Sequence, residues 1–429
     1  MSAPPPSPES FQAASSPGRL PQDFLLHPEH GLFRALRHPE FRLFWTGNFV
    51  SNIGSWMQTV AQGWLVLELT GSPLWLGTVG FAQQIPALFF SLPGGVLADR
   101  VPRRRLLLIT QSFMLAYALA LALLTAFHLI TVGQIVAIAF LAGMTMAVNA
   151  PIYQATLRDL VPPADTQNAI ALNSIQFNSS RVVGPSVAGL ILATAGEAAC
   201  FFLNAASYVV LLGVMWRVRF PAPQPRQPRS PLAELVEGFR YVWTHRAILI
   251  LVMMVALVSM FGLPYLVMMP AFARDVLAVG ETGLGYLTAA AGLGALVGGI
   301  RLAALPPHHR RGPLVLAAAA AFFVSILLFC LSRTPWLSAA LLAVVGAALV
   351  NCVATVNSLI QSMVPDEIRG RVLSMHTMAF LGFTPLGSLL VGALAETWGP
   401  PMALALSTGF ALILTVLIAA SAVSVRRLQ

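Results

Sequence analysis

Charged residues are scarce in this sequence. Only 10% of the 429 residues are charged and 57% are hydrophobic, and all 25 basic residues are arginine because lysine is absent. A soluble protein of this length needs more charge to cover its surface, so lipid is expected to be the solvent for much of the chain. Burial in one large soluble core is the alternative, and this composition disfavours it.

Cysteine and catalytic motifs are equally sparse. Cys200, Cys330 and Cys352 lie within or beside apolar runs without ligand spacing, so neither a disulfide framework nor a metal site is predicted. The sequence has no phosphate-binding loop and no metal-ligating cluster, and its apolar runs carry no Ser/Lys or Ser/His pair. We therefore expect a protein that is not an enzyme and needs no cofactor.

The net charge of +9 does not form a nucleic-acid-binding surface, because the arginines stand between apolar runs rather than in one patch. Residues 1–30 are rich in proline and serine and lack the basic start and apolar core of a signal peptide. They are predicted to be a disordered cytoplasmic tail.

Long apolar runs are what the sequence does contain. One helical crossing of a bilayer needs about 20 apolar residues, and six runs, a polar interval and six more runs follow one another. The predicted fold class is an all-α integral membrane protein with 12 transmembrane helices. The runs lie at approximately 41–69, 74–98, 105–128, 131–156, 168–194, 198–219, 247–272, 282–304, 313–332, 335–362, 372–395 and 400–424.

The two halves of the chain resemble each other. Pro162 precedes the fifth run as Pro365 precedes the eleventh, and Pro185 and Pro385 follow at nearly the same interval. An internal duplication into two pseudo-symmetric six-helix bundles fits, as is common in secondary transporters. The predicted units are the tail 1–30, an N-terminal bundle 31–219, a cytoplasmic linker 220–246 and a C-terminal bundle 247–429.

The linker begins with the stiff, solvated stretch PAPQPRQPRSP and continues with apolar residues at helical spacing. We interpret this second part as an amphipathic helix on the cytoplasmic membrane surface, with partner binding as the alternative. Its apolar residues are Leu232, Leu235, Val236, Phe239 and Trp243.

Arginine placement predicts the orientation. If the N-terminus is cytoplasmic and each run crosses the membrane, every arginine falls on the cytoplasmic side except Arg274 and Arg333, which face out, and Arg181, which lies within the bilayer. This positive-inside bias predicts a multi-pass protein with both termini in the cytoplasm.

The segment SLPGGVLADRVPRRR, residues 91–105, resembles the signature of the major facilitator superfamily, in which Gly, three residues, Asp-Arg, one residue and Gly precede two basic residues. Pro102 replaces the second glycine. A glycine near a helix end permits close approach of a neighbouring helix. In this family the segment latches the two halves when the cavity is open to the outside. The resemblance implies a conformational gate, and simple enforcement of topology is the alternative. The gate residues are Gly95, Asp99, Arg100, Arg103 and Arg104.

The first run carries five polar side chains at steps of four, three, four and three, which puts them on one helical face. Such a stripe is expected to face a water-filled cavity or neighbouring helices. In the superfamily the first, fourth, seventh and tenth helices line the cavity, which adds four candidates from the fourth and tenth. For each residue alone, helix packing is an equal alternative. The candidates are Asn48, Asn52, Ser55, Thr59, Gln62, Asn149, Tyr153, Asn351 and Thr355.

The fifth run places Arg181 about 20 Å along its helix, near the middle of the membrane, where an arginine is costly and usually functional. Three roles remain open for it: binding an anionic substrate, switching partners during transport, or supporting the structure. The following Gly184-Pro185, with Gly189, partly resembles the superfamily's antiporter signature. Small residues with proline predict tight packing and a bend there.

Residues 45–100 and 178–190 resemble the branch of the superfamily that contains enterobactin and related efflux transporters. The resemblance implies a bacterial inner-membrane transporter, expected to be a monomer, that exports an amphipathic small molecule by alternating access and is coupled to protons. A drug, a siderophore or a similar metabolite would fit. An uptake symporter or a lipid or lysolipid flippase on the same fold is the alternative. No carboxylate lies in the middle of the first run, so proton coupling rests on the resemblance. Glu68, near the outer end of this run, is the candidate residue, and placement at the membrane interface without a role in coupling is the alternative.

Overall fold

A computed structural model describes residues 33–220, 231–304 and 311–421. For Leu92, Val96, residues 98–100 and residues 231–235 it describes only the backbone. The predicted tail 1–30 and the proline-rich stretch 221–230 therefore lie outside the described residues.

The described chain is helical throughout, and the helices follow the twelve apolar runs. They are α1 (Pro39–Thr70), α2 (Pro73–Gln84), α3 (Pro86–Arg100), α4 (Arg103–Ala126), α5 (Val132–Asp159), α6 (Thr166–Arg217), α7 (Pro231–Thr244), α8 (Arg246–Leu257), α9 (Pro264–Ala271), α10 (Gly280–Ala303), α11 (Arg311–Leu331), α12 (Pro335–Met363), α13 (Asp366–Trp398) and α14 (Pro400–Ser421).

Within the described ranges, nine helical segments are long and apolar enough to cross a membrane, and one of them, Arg246–Val276, includes both α8 and α9. The remaining transmembrane crossings do not each correspond to one long apolar helix, and each has an identifiable cause in its own sequence. The polar stripe lowers the hydropathy of α1, and the second crossing is divided between α2 and α3 at Ile85, just before Pro86. Conversely, α6 contains two crossings, because Gly196 has a φ of 74° and ψ of −177° and reverses the chain there. These segments together account for the twelve predicted crossings.

The seventh crossing is irregular. Between α8 and α9 the residues Val258–Gly262 form a π-helical turn, and a second one, Phe272–Val276, follows α9. Pro264 opens α9 and Pro270 lies within it. Proline removes a backbone donor, and π turns widen the helix by one residue, so both interrupt the regular hydrogen-bond ladder. The seventh crossing therefore consists of two short α-helices and two π-helical turns rather than one regular helix.

The first-half helices, α1 to α6, contact the second-half helices, α8 to α14, at two places where a helix of one half passes over a helix of the other. Glycines meet at both places, and we call them the glycine crossings. A Cβ added to Gly189 of α6 would lie 2.9 Å from the Cα of Gly285 in α10. In the same way, a Cβ on Gly77 of α2 would lie 2.9 Å from the Cα of Gly392 in α13. Because glycine has no side chain, two helix backbones can come into van der Waals contact at these positions. Such close packing stabilises helix association in membranes, where the hydrophobic effect does not drive it. The two crossings occupy matching places in the two halves.

Helix α7 carries the predicted amphipathic pattern outside the bundle of crossings. Val236, Phe239 and Trp243 are all more than half exposed, and the last two rings stack with centroids 5.5 Å apart. Its other face packs on α13: Glu237 pairs with Arg371, and a Cβ on Gly238 would lie 2.8 Å from the Arg371 carbonyl oxygen. The exposed aromatic face is of the kind that lies in a membrane interface.

Candidate functional site

The two ends of the bundle differ in charge, and we name them by it. The arginine-rich end is where α1 begins, and the arginine-poor end is where α1 ends, at the α1–α2 turn around Gly71. Two polar side chains of the second half bind this turn. Glu396 of α13 accepts hydrogen bonds from Ser72 Oγ (2.7 Å) and from the Leu74 amide (3.2 Å), and Arg274 donates to the Leu67 carbonyl (2.8 Å).

These two contacts match the electrostatics of the helix ends. Helix N-termini carry partial positive charge and C-termini partial negative charge. The Glu396 carboxylate lies at the N-terminus of α2, and the Arg274 guanidinium, also bonded to Asp275, lies at the C-terminus of α1. We call Arg274 and Glu396 the outer latch, because they hold the first half to the second at the arginine-poor end.

The predicted gate lies at the opposite end, and its described side chains bind within the first half. Arg103 pairs with Asp159 at the end of α5, and Arg104 donates to the Trp216 carbonyl at the end of α6 (2.9 Å). The side chains of Asp99 and Arg100 lie outside the described residues. In this structure Gly95 packs against no neighbouring helix, because a Cβ there would meet nothing within 4 Å, whereas one on Gly94 would lie 2.8 Å from the Val148 Cα.

The polar stripe on α1 does not act as one cavity-facing set. Asn48 is buried and donates to the Phe44 carbonyl of its own helix (2.8 Å), and Ser55 contacts the Tyr208 hydroxyl of α6 (3.0 Å). The contact of Ser55 therefore supports the helix-packing alternative. The remaining members differ in burial: Gln62 is buried, Asn52 is half-buried and Thr59 is exposed.

The fourth-helix candidates are also bonded inside the first half. The Asn149 amide oxygen accepts from Thr110 Oγ1 (2.9 Å) and from Gln111 Nε2 (3.3 Å), both on α4. The Tyr153 hydroxyl donates to Asn173 on α6, and its ring stacks on Phe44. Both residues join neighbouring helices, so their expected cavity role is not supported by their contacts.

Asn149→Ala is expected to destabilise the protein by about 1 kcal/mol, because two buried donors lose an interhelical acceptor. Thermal unfolding in detergent measures the loss. Asn178→Ala is the matched control, since that exposed amide donates to its own helix at the Ser174 carbonyl. Transport close to the wild-type rate is expected for both variants. Loss of transport at unchanged stability would restore the cavity assignment of Asn149.

The tenth-helix candidates lie on α12. Asn351 donates to the Ala347 carbonyl of its own helix and lines a cavity inside the second half together with Arg301 and alanines of α11 and α12. The contacts of Asn351 in this structure therefore lie within the second half, and its cavity role stays a prediction. Thr355 is buried, and its hydroxyl has no hydrogen-bond partner among the described residues.

Arg181 is the predicted residue that does join the halves at mid-depth. It is 7% exposed, its guanidinium lies 5.7 Å from the ring centroid of Trp56 on α1, and it donates to the Tyr265 hydroxyl of α9 at 3.4 Å. Its backbone packs on α10, because a Cβ on Gly292 would lie 2.7 Å from the Arg181 carbonyl oxygen. One side chain thus contacts an aromatic residue from each half.

The glycines that follow Arg181 explain how α6 fits between its neighbours. A Cβ on Gly184 would lie 2.6 Å from the Trp56 Cβ of α1, while Gly189 faces Gly285 of α10. Pro185 stands within the helix between them, with its carbonyl oxygen 2.7 Å from a Cβ built on Gly285. This motif therefore gives α6 one packing surface toward each half.

Three carboxyl groups meet at the arginine-poor end. Glu68 ends α1, Glu197 follows the Gly196 turn between two crossings, and Glu281 begins α10 in the second half. Burial raises the pKa of Glu197 from 4.5 to about 7, and its hydrogen bond to Glu68 and the charges of Glu68 and Glu281 act in the same direction. Burial and the neighbouring carboxyl groups thus favour the neutral form of Glu197.

Three polar residues of α6 that sequence reasoning missed lie at its contact with α1. They are Asn204, Ser207 and Tyr208. Asn204 donates to Gln58 Oε1 (2.7 Å), Ser207 contacts Asn204, and a Cβ on Gly54 would lie 2.5 Å from the Asn204 amide oxygen. The signal that could have found them is the spacing of Asn204, Ser207 and Tyr208 on one face of the sixth run. That face matches the polar stripe of α1.

The sequence pattern of the transmembrane secretion effector family matches residues 30–429. The enterobactin exporter EntS of Shigella boydii serotype 4 (strain Sb227) is 29% identical over 91% of this chain and 94% of its own. The staphyloferrin A transporter of Staphylococcus aureus (strain NCTC 8325 / PS 47) is 26% identical over 83% of this chain and 90% of its own.

Solved structures agree on the fold. A point mutant of the nucleoside transporter NupG superposes with a TM-score of 0.74 at 14% identity, covering 91% of this chain and 99% of its own. A bacterial homologue of the human lysosomal transporter Spinster, in an inward-facing and unoccupied conformation, gives 0.68 at 15% identity, covering 92% and 96%. With the match to the family pattern along nearly the whole chain, these likenesses show that the protein is a multi-pass membrane transporter of the major facilitator superfamily and belongs to its transmembrane secretion effector family.

Proposed function

We propose that this transporter exports an amphipathic small molecule, of siderophore or drug type, from the cytoplasm across the bacterial inner membrane by alternating access. The observation that carries the proposal is the joining of the halves at the arginine-poor end by two glycine crossings and the outer latch. With both termini cytoplasmic, as the arginine bias predicts, that end faces outward. The state described here is then closed to the outside.

The relatives support the substrate class. One is named for the export of enterobactin and another for the transport of staphyloferrin A, so a siderophore is the first substrate to test. We expect the transporter, working as a monomer, to take such a molecule from the cytoplasm in the state closed at the arginine-poor end. Separation of the glycine crossings then releases it on the other side.

Inverted membrane vesicles containing the transporter test this function. Iron-free enterobactin and staphyloferrin A are offered outside, and accumulation inside the vesicles is expected for at least one of them, in excess of empty vesicles. Accumulation only in right-side-out vesicles would favour the uptake symporter. Transfer of a fluorescent lysolipid between leaflets, without siderophore movement, would favour the flippase.

We further propose that a proton shared by Glu68 and Glu197 drives the cycle. The open state is expected to expose Glu197 to water, where its pKa returns to about 4.5, whereas the closed state raises it to about 7. The proton therefore favours the closed state, fully below pH 4.5, and this preference is lost as pH rises through about 7. The other charged groups at this end are Glu281, Asp275, Glu396, Arg274 and Arg333.

Glu197→Gln is expected to remove this pH dependence, because an amide cannot release the proton. The transport rate is measured for both proteins with and without an imposed pH gradient. The gradient is expected to change the rate of the wild type and to change that of Glu197→Gln at most weakly. Asp366→Asn at the arginine-rich end is the control and should keep the wild-type response. An unchanged gradient dependence in Glu197→Gln would exclude the Glu68–Glu197 pair as the coupling site and leave the export proposal intact.

A further inference from the structure

No described residue balances the charge of Arg181. Arg181 is 7% exposed, and within the described ranges its Nε has no hydrogen-bond partner and no carboxylate forms an ion pair with it. A guanidinium in a protein keeps its proton, so the charge persists. An isolated buried charge costs free energy that a counter-charge must offset.

The sequence excludes a protein carboxylate as that counter-charge. The 16 acidic residues all lie in the tail, in connections, in the surface helix α7 or near helix ends. Arg181 stands 15 residues after the start of α6 at Thr166, about 20 Å from that end at 1.5 Å per residue. Partner switching between protein carboxylates therefore has no partner at this depth.

The groups that do contact Arg181 are weak partners for a cation. Trp56 offers the face of its ring and Tyr265 a neutral hydroxyl at 3.4 Å. Native proteins rarely leave a buried polar group of this kind unsatisfied unless another molecule completes it.

We propose that Arg181 binds an oxyanion, in the first place a carboxylate, on the transported molecule. The Nε and one terminal nitrogen of Arg181 donate hydrogen bonds to the two oxygens of the carboxylate. Trp56 and Tyr265 contact an aromatic or apolar part of the molecule beside the anion. This inference rests on the proposed transport function and narrows its substrate class to amphipathic anions. Because Trp56 belongs to one half and Tyr265 to the other, the bound molecule touches both.

Matched acid and amide probes test the charge requirement. Thermal unfolding of the purified full chain is followed with 2-naphthoate against 2-naphthamide and with 2,3-dihydroxybenzoate against its amide. At least one acid is expected to raise Tm by about 2 °C or more at millimolar concentration, and the amides to leave it unchanged. Arg181→Gln should abolish the rise, while Arg158→Gln, which changes an exposed arginine at the arginine-rich end, should keep it.

Several results would overturn the proposal: amides as effective as acids, a rise that survives in Arg181→Gln, chloride alone giving the same rise, or no rise with any acid. If Arg181→Gln does not fold, Arg181→Lys replaces it. An ammonium lacks the two-point geometry of a guanidinium, so the acids should then bind several-fold more weakly. Acid-specific binding without vesicle transport would refute the export proposal alone, and transport of neutral molecules only would refute the anion site alone.

Discussion

Gly189→Leu is expected to reduce transport to below about a tenth of the wild-type rate while the protein stays folded. The new side chain would have to enter the space of the Gly285 Cα at 2.9 Å and the Glu281 carbonyl oxygen at 3.0 Å. Because α6 and α10 belong to different halves, separation of the halves relieves this overlap without unfolding either one. The variant is therefore expected to remain open at the arginine-poor end.

A distance measurement between spin labels detects that opening. Labels at Leu69 and Thr397, one in each half and both exposed, report on the arginine-poor end once Cys200, Cys330 and Cys352 are replaced. The control is Gly213→Leu on the same helix, where a Cβ meets nothing within 4 Å. A short label distance and normal transport in Gly189→Leu would refute the closure at this crossing.

Breaking the outer latch is expected to shift the equilibrium between the open and closed states of the arginine-poor end, by a smaller factor than Gly189→Leu does. Arg274→Ala combined with Glu396→Gln removes both charges that bind the α1–α2 turn, and the ratio of open to closed protein should rise about three- to tenfold, as for two partly exposed charge contacts. The Leu69–Thr397 distance distribution measures this ratio. Added salt should raise the ratio in the wild type less than in proteins held only by exposed ion pairs, because the partners of both charges in the first half are neutral: two backbone groups and the Ser72 hydroxyl.

The matched control removes a charge pair from the other end. Asp366→Asn with Arg369→Gln breaks the ion pair in the first turn of α13, away from the contact between the halves. That variant is expected to leave the distance distribution unchanged. An equal effect of both double variants would mean that net charge, rather than the latch, sets the equilibrium.

Much of the fold could be predicted from the sequence, because bilayer thickness fixes the length of an apolar run. The twelve runs matched the helices to within a few residues in most cases, although α13 begins at Asp366, before the run predicted at 372–395. Gly196, where α6 reverses direction, fell between two predicted runs. The π turns around α9 were not predicted, since no composition rule separates a π turn from an α-helix.

The partners of each polar face could not be predicted in the same way. Spacing shows that Ser55 and Asn149 each lie on a polar face, but not which helix that face meets, because that depends on how the helices pack. The depth of Arg181 in the membrane, in contrast, could be predicted, because it follows from counting residues along one helix. The closure of the arginine-poor end by Gly77, Gly392 and the outer latch depends on residues far apart in the sequence, which no local pattern reveals.

The two π turns place Tyr265 on an interrupted part of the core. Helix α9 is eight residues long and has a π-helical turn on either side, where the regular hydrogen-bond ladder is broken. Under the anion proposal for Arg181, an arriving carboxylate takes the place of a neutral phenol as partner of the guanidinium. Recognition then requires a change only at Tyr265, before the halves separate.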